Sequence, residues 1–273
     1  LVASRLAFSQ RQPRGILHVL PCPEPTVSPS KNSLQSRHLA TRRSPSLLLQ
    51  ARRTPSLKVA VERAFQCVLD ALECSVPRTD VLQIAQDLLG KVIVTNIDGK
   101  ITTGKIVETE AYRAPDDKAC HAYNNRRTPR TETMFAKGGC AYVYLCYGIH
   151  NLFNVVTAPA ETAHAVLIRG VEPLEGIETM LERRKMQKLQ PRLSAGPGTL
   201  TKALGITREM NQVNLLSKES PVWLENRGFN FSAKEIKKGK RIGVNYAEEC
   251  ADWEWRFWVD SSKWVSLKSG LKM

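Results

Sequence analysis

The chain has 273 residues, 42% hydrophobic and 24% charged, a balance that fits one or two ordinary domains with a real core and excludes a wholly unfolded polymer. It contains no run of about 18 apolar residues, so the sequence offers no membrane-spanning helix. The formal charge of +14 points towards polyanions, but residues 1–60 hold ten Lys or Arg against one acid, Glu24, so most of the excess belongs to one terminal segment.

Residues 1–60 are rich in Ser, Pro, Arg and Gln and are broken by stretches such as Pro21-Cys22-Pro23-Glu24-Pro25. Such a segment buries too little to offset its ordering entropy, so a disordered basic extension is expected. An organelle transit peptide has the same Arg/Ser-rich, acid-poor composition, and a plain spacer is the alternative. A transit peptide would direct the protein to an organelle, against the nucleus or cytoplasm otherwise. Residues 61–273 are expected to form the folded domain, with ordered structure starting near Val59. The seven cysteines are odd in number and form no C-x-x-C pair. That pattern suggests neither a disulfide framework nor a standard zinc site, and fits a reducing compartment.

Asp80 is placed to cap a helix running through Leu89, with Gly90 as its stop. Lys91 to Ile97 reads as a strand, Asp98-Gly99 as a hairpin turn, and Lys100 to Tyr112 as the return strand. Further strands are expected over Ala141–Tyr147, Leu152–Val156 and Ala165–Arg169. Leu174, Ile177 and Leu181 have helical spacing, which predicts a helix over 174–189. Ser194 to Gly198 reads as a turn into a short helix closed by Gly205. The C-terminal part returns to strand, with Trp253, Trp255 and Phe257 on one face and Glu254, Arg256 and Trp258 on the other. Hairpin-linked strands with helices around them predict an α+β domain.

Several segments could carry chemistry. In Glu108-Thr109-Glu110-Ala111-Tyr112, alternation puts Glu108, Glu110 and Tyr112 on one face, an acid beside an aromatic. The same pattern describes a solvated edge strand. Tyr142 and Tyr144 share a face of the next strand, and Tyr147 stands at its end beside Gly148, where a turn can thrust it outward. Tyrosines so placed can stack on bases or wedge between them, and can equally be core residues. His121 follows Cys120, but no second His stands at ligand spacing, which argues against a metal. Gly196-Pro197-Gly198 before a helix could offer N–H groups to a phosphate or be a simple turn. The basic runs Arg126-Arg127-Thr128-Pro129-Arg130 and Lys237-Lys238-Gly239-Lys240-Arg241 read as phosphate-contacting loops or as solvated surface.

The order of these segments is more specific than any one of them. Leu88-Leu89-Gly90, Glu108 to Tyr112, Asp117 through His121, Arg126 to Arg130, and Met134-Phe135 occur in sequence. They are followed by Tyr142-Val143-Tyr144 with Tyr147-Gly148, Asn154, Val166 to Arg169, Glu172-Pro173-Leu174-Glu175-Gly176 and Gly196-Pro197. In that order, over about two-thirds of the chain, the sequence resembles the alkyladenine (3-methyladenine) DNA glycosylase family, closer to its bacterial members. It departs from the vertebrate pattern around Ile149-His150-Asn151.

The resemblance implies a single domain with a curved, mainly antiparallel sheet surrounded by helices. It implies a monofunctional base excision repair enzyme that flips alkylated or deaminated purines (3-methyladenine, hypoxanthine, ethenoadenine) from double-stranded DNA and leaves an abasic site. Such an enzyme is expected to be a monomer without a cofactor, a metal or a membrane partner. Glu110 falls where the family places the water-activating carboxylate, and Tyr112, His121 and Tyr144 where it lines the base pocket. Asn154 matches the group that crowds the amine of guanine, and Arg169 a pocket-edge arginine. Tyr147 matches the side chain that fills the gap in the duplex, and Arg126 a phosphate contact. The main alternative is a non-catalytic nucleic-acid-binding module. Glu110 separates the two, because a pure binder has no reason to set a carboxylate beside a polyanion.

Overall fold

The computed structural model describes residues 80–266. The expectations for residues 1–60, and for order beginning near Val59, lie outside them. Helix α1 (Val81–Asp87) starts as its sequence dictates: the Asp80 carboxylate accepts hydrogen bonds from the N–H groups of Leu82 and Gln83 at 3.0 and 3.2 Å. It turns Val81, Ile84 and Ala85 inward. It ends at Asp87, two residues short of the expected limit, because the chain must reach Gly90 at φ 88°. A Cβ on Gly90 would lie 2.3 Å from the carbonyl oxygen of Phe229, so only glycine fits there.

Strands β1 (Val92–Ile97) and β2 (Lys100–Arg113) form the predicted hairpin, with Asp98 and Gly99 at φ 53° and 74°. The later strands are β3 (Ala141–Cys146), β4 (His150–Val156), β5 (His164–Glu175), β6 (Val222–Glu225), β7 (Ile236–Gly239) and β8 (Arg256–Val259). All pair antiparallel in one curled sheet of order β3-β4-β5-β2-β1-β6, with β8 joining β2 and β7 joining β8. Long β2 is the axis: β5 pairs along one edge, while β1 and then β8 share the other.

The structure corrects two expectations and adds two short strands. β5 runs on to Glu175, so Leu174 is a strand residue and helix α2 covers only Ile177–Arg184. Pairing of Thr103 with Glu175 extends the ladder past the point where helical spacing suggested a helix. The C-terminal alternation does not form one long strand. β8 holds four residues, all buried, while Trp253 and Trp255 stack with centroids 4.4 Å apart in the segment before it. β6 and β7, only four residues each, carry no alternation that would have announced them. Helix α3 (Pro197–Leu204) matches its expectation, closed by Gly205 at φ 75°.

The main core packs Ile93, Ile106, Phe153 and Ile168 of the sheet with Met180, Leu200 and Leu204 of α2 and α3. Fully burying side chains of this size stabilises by roughly 1.5–3 kcal/mol each. A second cluster of Ala114, Cys120, Met134, Phe135 and Tyr142 backs Tyr112 and Tyr144. It forms the wall on which the candidate site is built.

Candidate active site

The β2–β5 register shifts on either side of Glu108, and both faces of β2 are covered there: Thr109 Oγ1 donates to the Ala85 carbonyl at 2.8 Å on one side, and Arg169 meets Glu108 and Glu110 on the other. Glu108, Thr109 and Glu110 are all buried, which overturns the solvated-edge reading of this segment. Arg169 of β5 reaches both carboxylates, with Nε 3.2 Å from Glu108 Oε1 and Nη1 3.2 Å from Glu110 Oε2. Glu108 is otherwise saturated by Arg256 Nε at 2.7 Å and by the N–H and hydroxyl of Ser266 at 2.6 and 2.9 Å. Burial opposes the charge on Arg169, but Glu110 and Glu108 more than offset it and hold its pKa above the ordinary value.

Glu110 is bound differently. Its Oε2 accepts the Tyr112 hydroxyl at 2.8 Å as well as Arg169, and its Oε1 accepts the Ile242 N–H at 2.7 Å. Burial, reinforced by Glu110, pushes the Tyr112 phenol well above its ordinary pKa, so the ring stays a neutral donor. Tyr112, Arg169 and Ile242 line the floor of a cleft of about 580 Å³, with Glu110 directly behind them. The Ile242 contact depends on Arg241, which forms a bidentate pair with Asp117 at 2.6 and 2.8 Å and also donates to the carbonyls of Ala111 and Cys250. The basic run 237–241 is therefore divided, with Lys237 and Lys238 exposed and Arg241 an internal anchor.

One wall of the cleft is aromatic. Tyr142 and Tyr144 share a face of β3 with centroids 5.3 Å apart, and His121 meets Tyr144 edge-on at 4.6 Å. His121 Nδ1 lies 2.9 Å from the Tyr142 hydroxyl. Burial, then the nearby Arg130, push the His121 pKa down to about 4, so its ring is neutral at physiological pH. Asn154 on β4 lines the cleft and donates through Nδ2 to the Tyr142 carbonyl at 3.0 Å, which fixes its amide. At the mouth, the β3–β4 turn holds Tyr147 at φ 50° and Gly148 at φ 72°, and Tyr147 is 87% exposed. Tyr246 forms the opposite lip at 66% exposure.

Seven of the eight residues singled out in the sequence thus meet at one cleft: Glu110, Tyr112, His121, Tyr144, Tyr147, Asn154 and Arg169. Arg126 does not. It is exposed on the loop after a 3₁₀ turn at 123–125, away from the cleft lining. Its neighbour Arg127 is held by Glu132 and Glu161. Arg130 of the same run lies over Tyr144 at 4.9 Å and was missed, as were Ile242 and its anchor Arg241. Arg241 and its partner Asp117 are 124 residues apart, and no local pattern marks such a pair. Among the described residues, no three His, Cys, Asp or Glu side chains converge as metal ligands, and Cys120 and Cys250 are free and buried.

Comparison with known proteins identifies the family. The profile of the family described as methylpurine-DNA glycosylase (MPG) matches residues 75–263. A Chlamydia felis protein named "Putative 3-methyladenine DNA glycosylase" is 47% identical over 189 residues, 67% of this chain and 93% of that protein. Proteins of the same name from Clostridium perfringens (strain SM101) and Bacillus cereus (strain ATCC 10987) are 44% and 45% identical, each over 69% of this chain and 95% of their own length. The chain belongs to the methylpurine-DNA glycosylase family.

Proposed function

We propose that this DNA glycosylase acts in base excision repair as a monofunctional, monomeric enzyme that extrudes damaged purines from duplex DNA and hydrolyses their bond to deoxyribose. The substrates we assign are 3-methyladenine, hypoxanthine and 1,N6-ethenoadenine. The observation that carries the reading is a buried carboxylate, Glu110, held by Arg169, Tyr112 and the Ile242 N–H behind an aromatic cleft with an exposed tyrosine at its mouth.

A base inside the stack is out of reach of Glu110, so it must be extruded, at a cost of a few kcal/mol that is smaller for damaged, poorly paired bases. Tyr147 fills the space the base vacates. The extruded purine stacks between Tyr112 and Tyr144, each contact contributing roughly 1–3 kcal/mol. Asn154, its amide fixed on Tyr142, is placed to crowd the amine of an intact guanine. The base leaves with both electrons of the C1′–N bond, and the sugar becomes oxocarbenium-like. Water enters beside the Tyr112 hydroxyl, adds its oxygen to C1′ and gives its proton to Glu110. Arg169 keeps Glu110 oriented for that transfer. Among the described residues no lysine lines the cleft, so the amine nucleophile of a Schiff-base mechanism has no candidate there. Arg126, exposed and outside the cleft lining, is proposed to contact a phosphate.

The test is release of free base from duplex oligonucleotides carrying hypoxanthine or ethenoadenine and from alkylated DNA, with EDTA present. Wild type is expected to release base, and Glu110→Gln to lose release while still binding the same DNA. Release by both variants would remove Glu110 from its role. Release by neither, with binding intact, would favour the binding-module reading.

A further inference from the structure

Among the described residues, the charged side chains that line the cleft are Arg130 and Arg169. They differ in one respect. Arg169 is matched by Glu108 and Glu110, whereas no described carboxylate lies within ion-pair distance of Arg130. The position of Arg130 is nevertheless defined. Its guanidinium carbon sits 4.9 Å from the centre of the Tyr144 ring, and its Nη2 is 3.3 Å from His121 Nε2. Arginine can only donate, so Nε2 of His121 accepts and the imidazole proton resides on Nδ1, donated to the Tyr142 hydroxyl. This arrangement keeps His121 neutral. Among the described residues, Arg130 is thus the single uncompensated charge on the aromatic wall.

We propose that Arg130 is a specificity-determining residue of the cleft, whose positive charge favours neutral damaged purines over cationic ones. The inference rests on the function proposed above. A purine alkylated at N3 or N7 carries a positive charge while bound, and a guanidinium beside the same aromatic wall repels it. A neutral purine such as hypoxanthine behaves in the opposite way. It departs with the C1′–N electron pair as an anion, which later takes a proton from solvent, and a fixed cation stabilises the charge that develops on it. Cationic purines already have labile bonds and need little assistance, so the residue acts where the barrier is higher. Because Arg130 is solvent-exposed, its effect is screened and must weaken as salt rises.

The experiment measures single-turnover base release from hypoxanthine duplexes and from DNA methylated at adenine N3 and guanine N7, with wild type, Arg130→Gln and Arg130→Lys. Arg130→Gln is expected to lower the ratio of neutral to cationic release by about three- to tenfold, the scale of a screened charge at close range. Arg130→Lys is expected to keep the ratio within about twofold, and added salt to shrink the difference between wild type and Arg130→Gln. Equal losses on both substrates, or an Arg130→Lys ratio like that of Arg130→Gln, would overturn the charge role and leave Arg130 a packing residue. Silence of wild type on both substrates would overturn the function itself, and this inference with it.

Discussion

Tyr147 is a bulky residue held at φ 50° and 87% exposed, a combination that costs backbone and solvation energy and returns no packing in the free protein. A side chain kept in such a state has its partner elsewhere, and an opened base step supplies one. Tyr147→Ala is expected to slow excision from duplex DNA by about tenfold or more while sparing a single-stranded substrate, because only the duplex must be held open. Equal rates for wild type and variant on duplex would remove the wedge. His121 gives a separate, thermodynamic prediction. Its folded pKa of about 4 lies below the ordinary 6.5, so as pH falls through 6.5 the unfolded chain takes up a proton that the folded chain refuses. Stability from this group is complete above pH 6.5 and declines towards pH 4, by up to about 3 kcal/mol. His164 is shifted in the same direction by burial and by Arg113. Melting temperatures measured from pH 7 to 4 should fall, and His121→Gln should flatten the slope.

At the scale of elements, β2 does two jobs along one strand. Its first half is an ordinary hairpin arm against β1, and its second half, between β5 and β8, carries the buried acids. Glu108 joins three elements there, accepting from Arg169 on β5, Arg256 on β8 and Ser266 beyond it. Its removal would take from Arg169 one of its two carboxylate partners and from Arg256 and Ser266 a shared acceptor in a buried site, so Glu108→Ala should destabilise by about 3–5 kcal/mol. Denaturant unfolding measures this, and a loss below about 1 kcal/mol would mean that water replaces the carboxylate. These elements also mark what the sequence could and could not disclose. The β1–β2 hairpin, the Asp80 cap and the Gly205 stop were legible because each depends on residues within a turn of one another. The facing of Glu110 and Tyr112 was legible from alternation, but the burial of Glu108 was not, since Arg169, Arg256 and Ser266, which cover it, come from distant parts of the chain. β7 and Arg241 were illegible for the same reason: a basic run looks like surface until Asp117, far away in the chain, is brought beneath it.

At the scale of the whole molecule, charge and site occupy different parts of the chain. The residues placed at the cleft fall between Glu110 and Tyr246, and the family match spans residues 75–263. Residues 1–60, with ten basic side chains and one acid, carry most of the net charge outside that match. Electrostatic attraction to phosphates contributes affinity without sequence or lesion information, and it fades as salt displaces it. If the segment contacts DNA in the full chain, its contribution belongs to encounter and retention rather than to bond cleavage. Deleting residues 1–60 should then leave single-turnover base release at saturating enzyme within about twofold, while weakening binding at low salt and making log Kd less steep against log salt. A large loss of release would place part of the catalytic fold inside the deleted segment. An unchanged salt slope would instead free the segment from DNA and leave targeting as its role, which a reporter fused to residues 1–60 would reveal by its location.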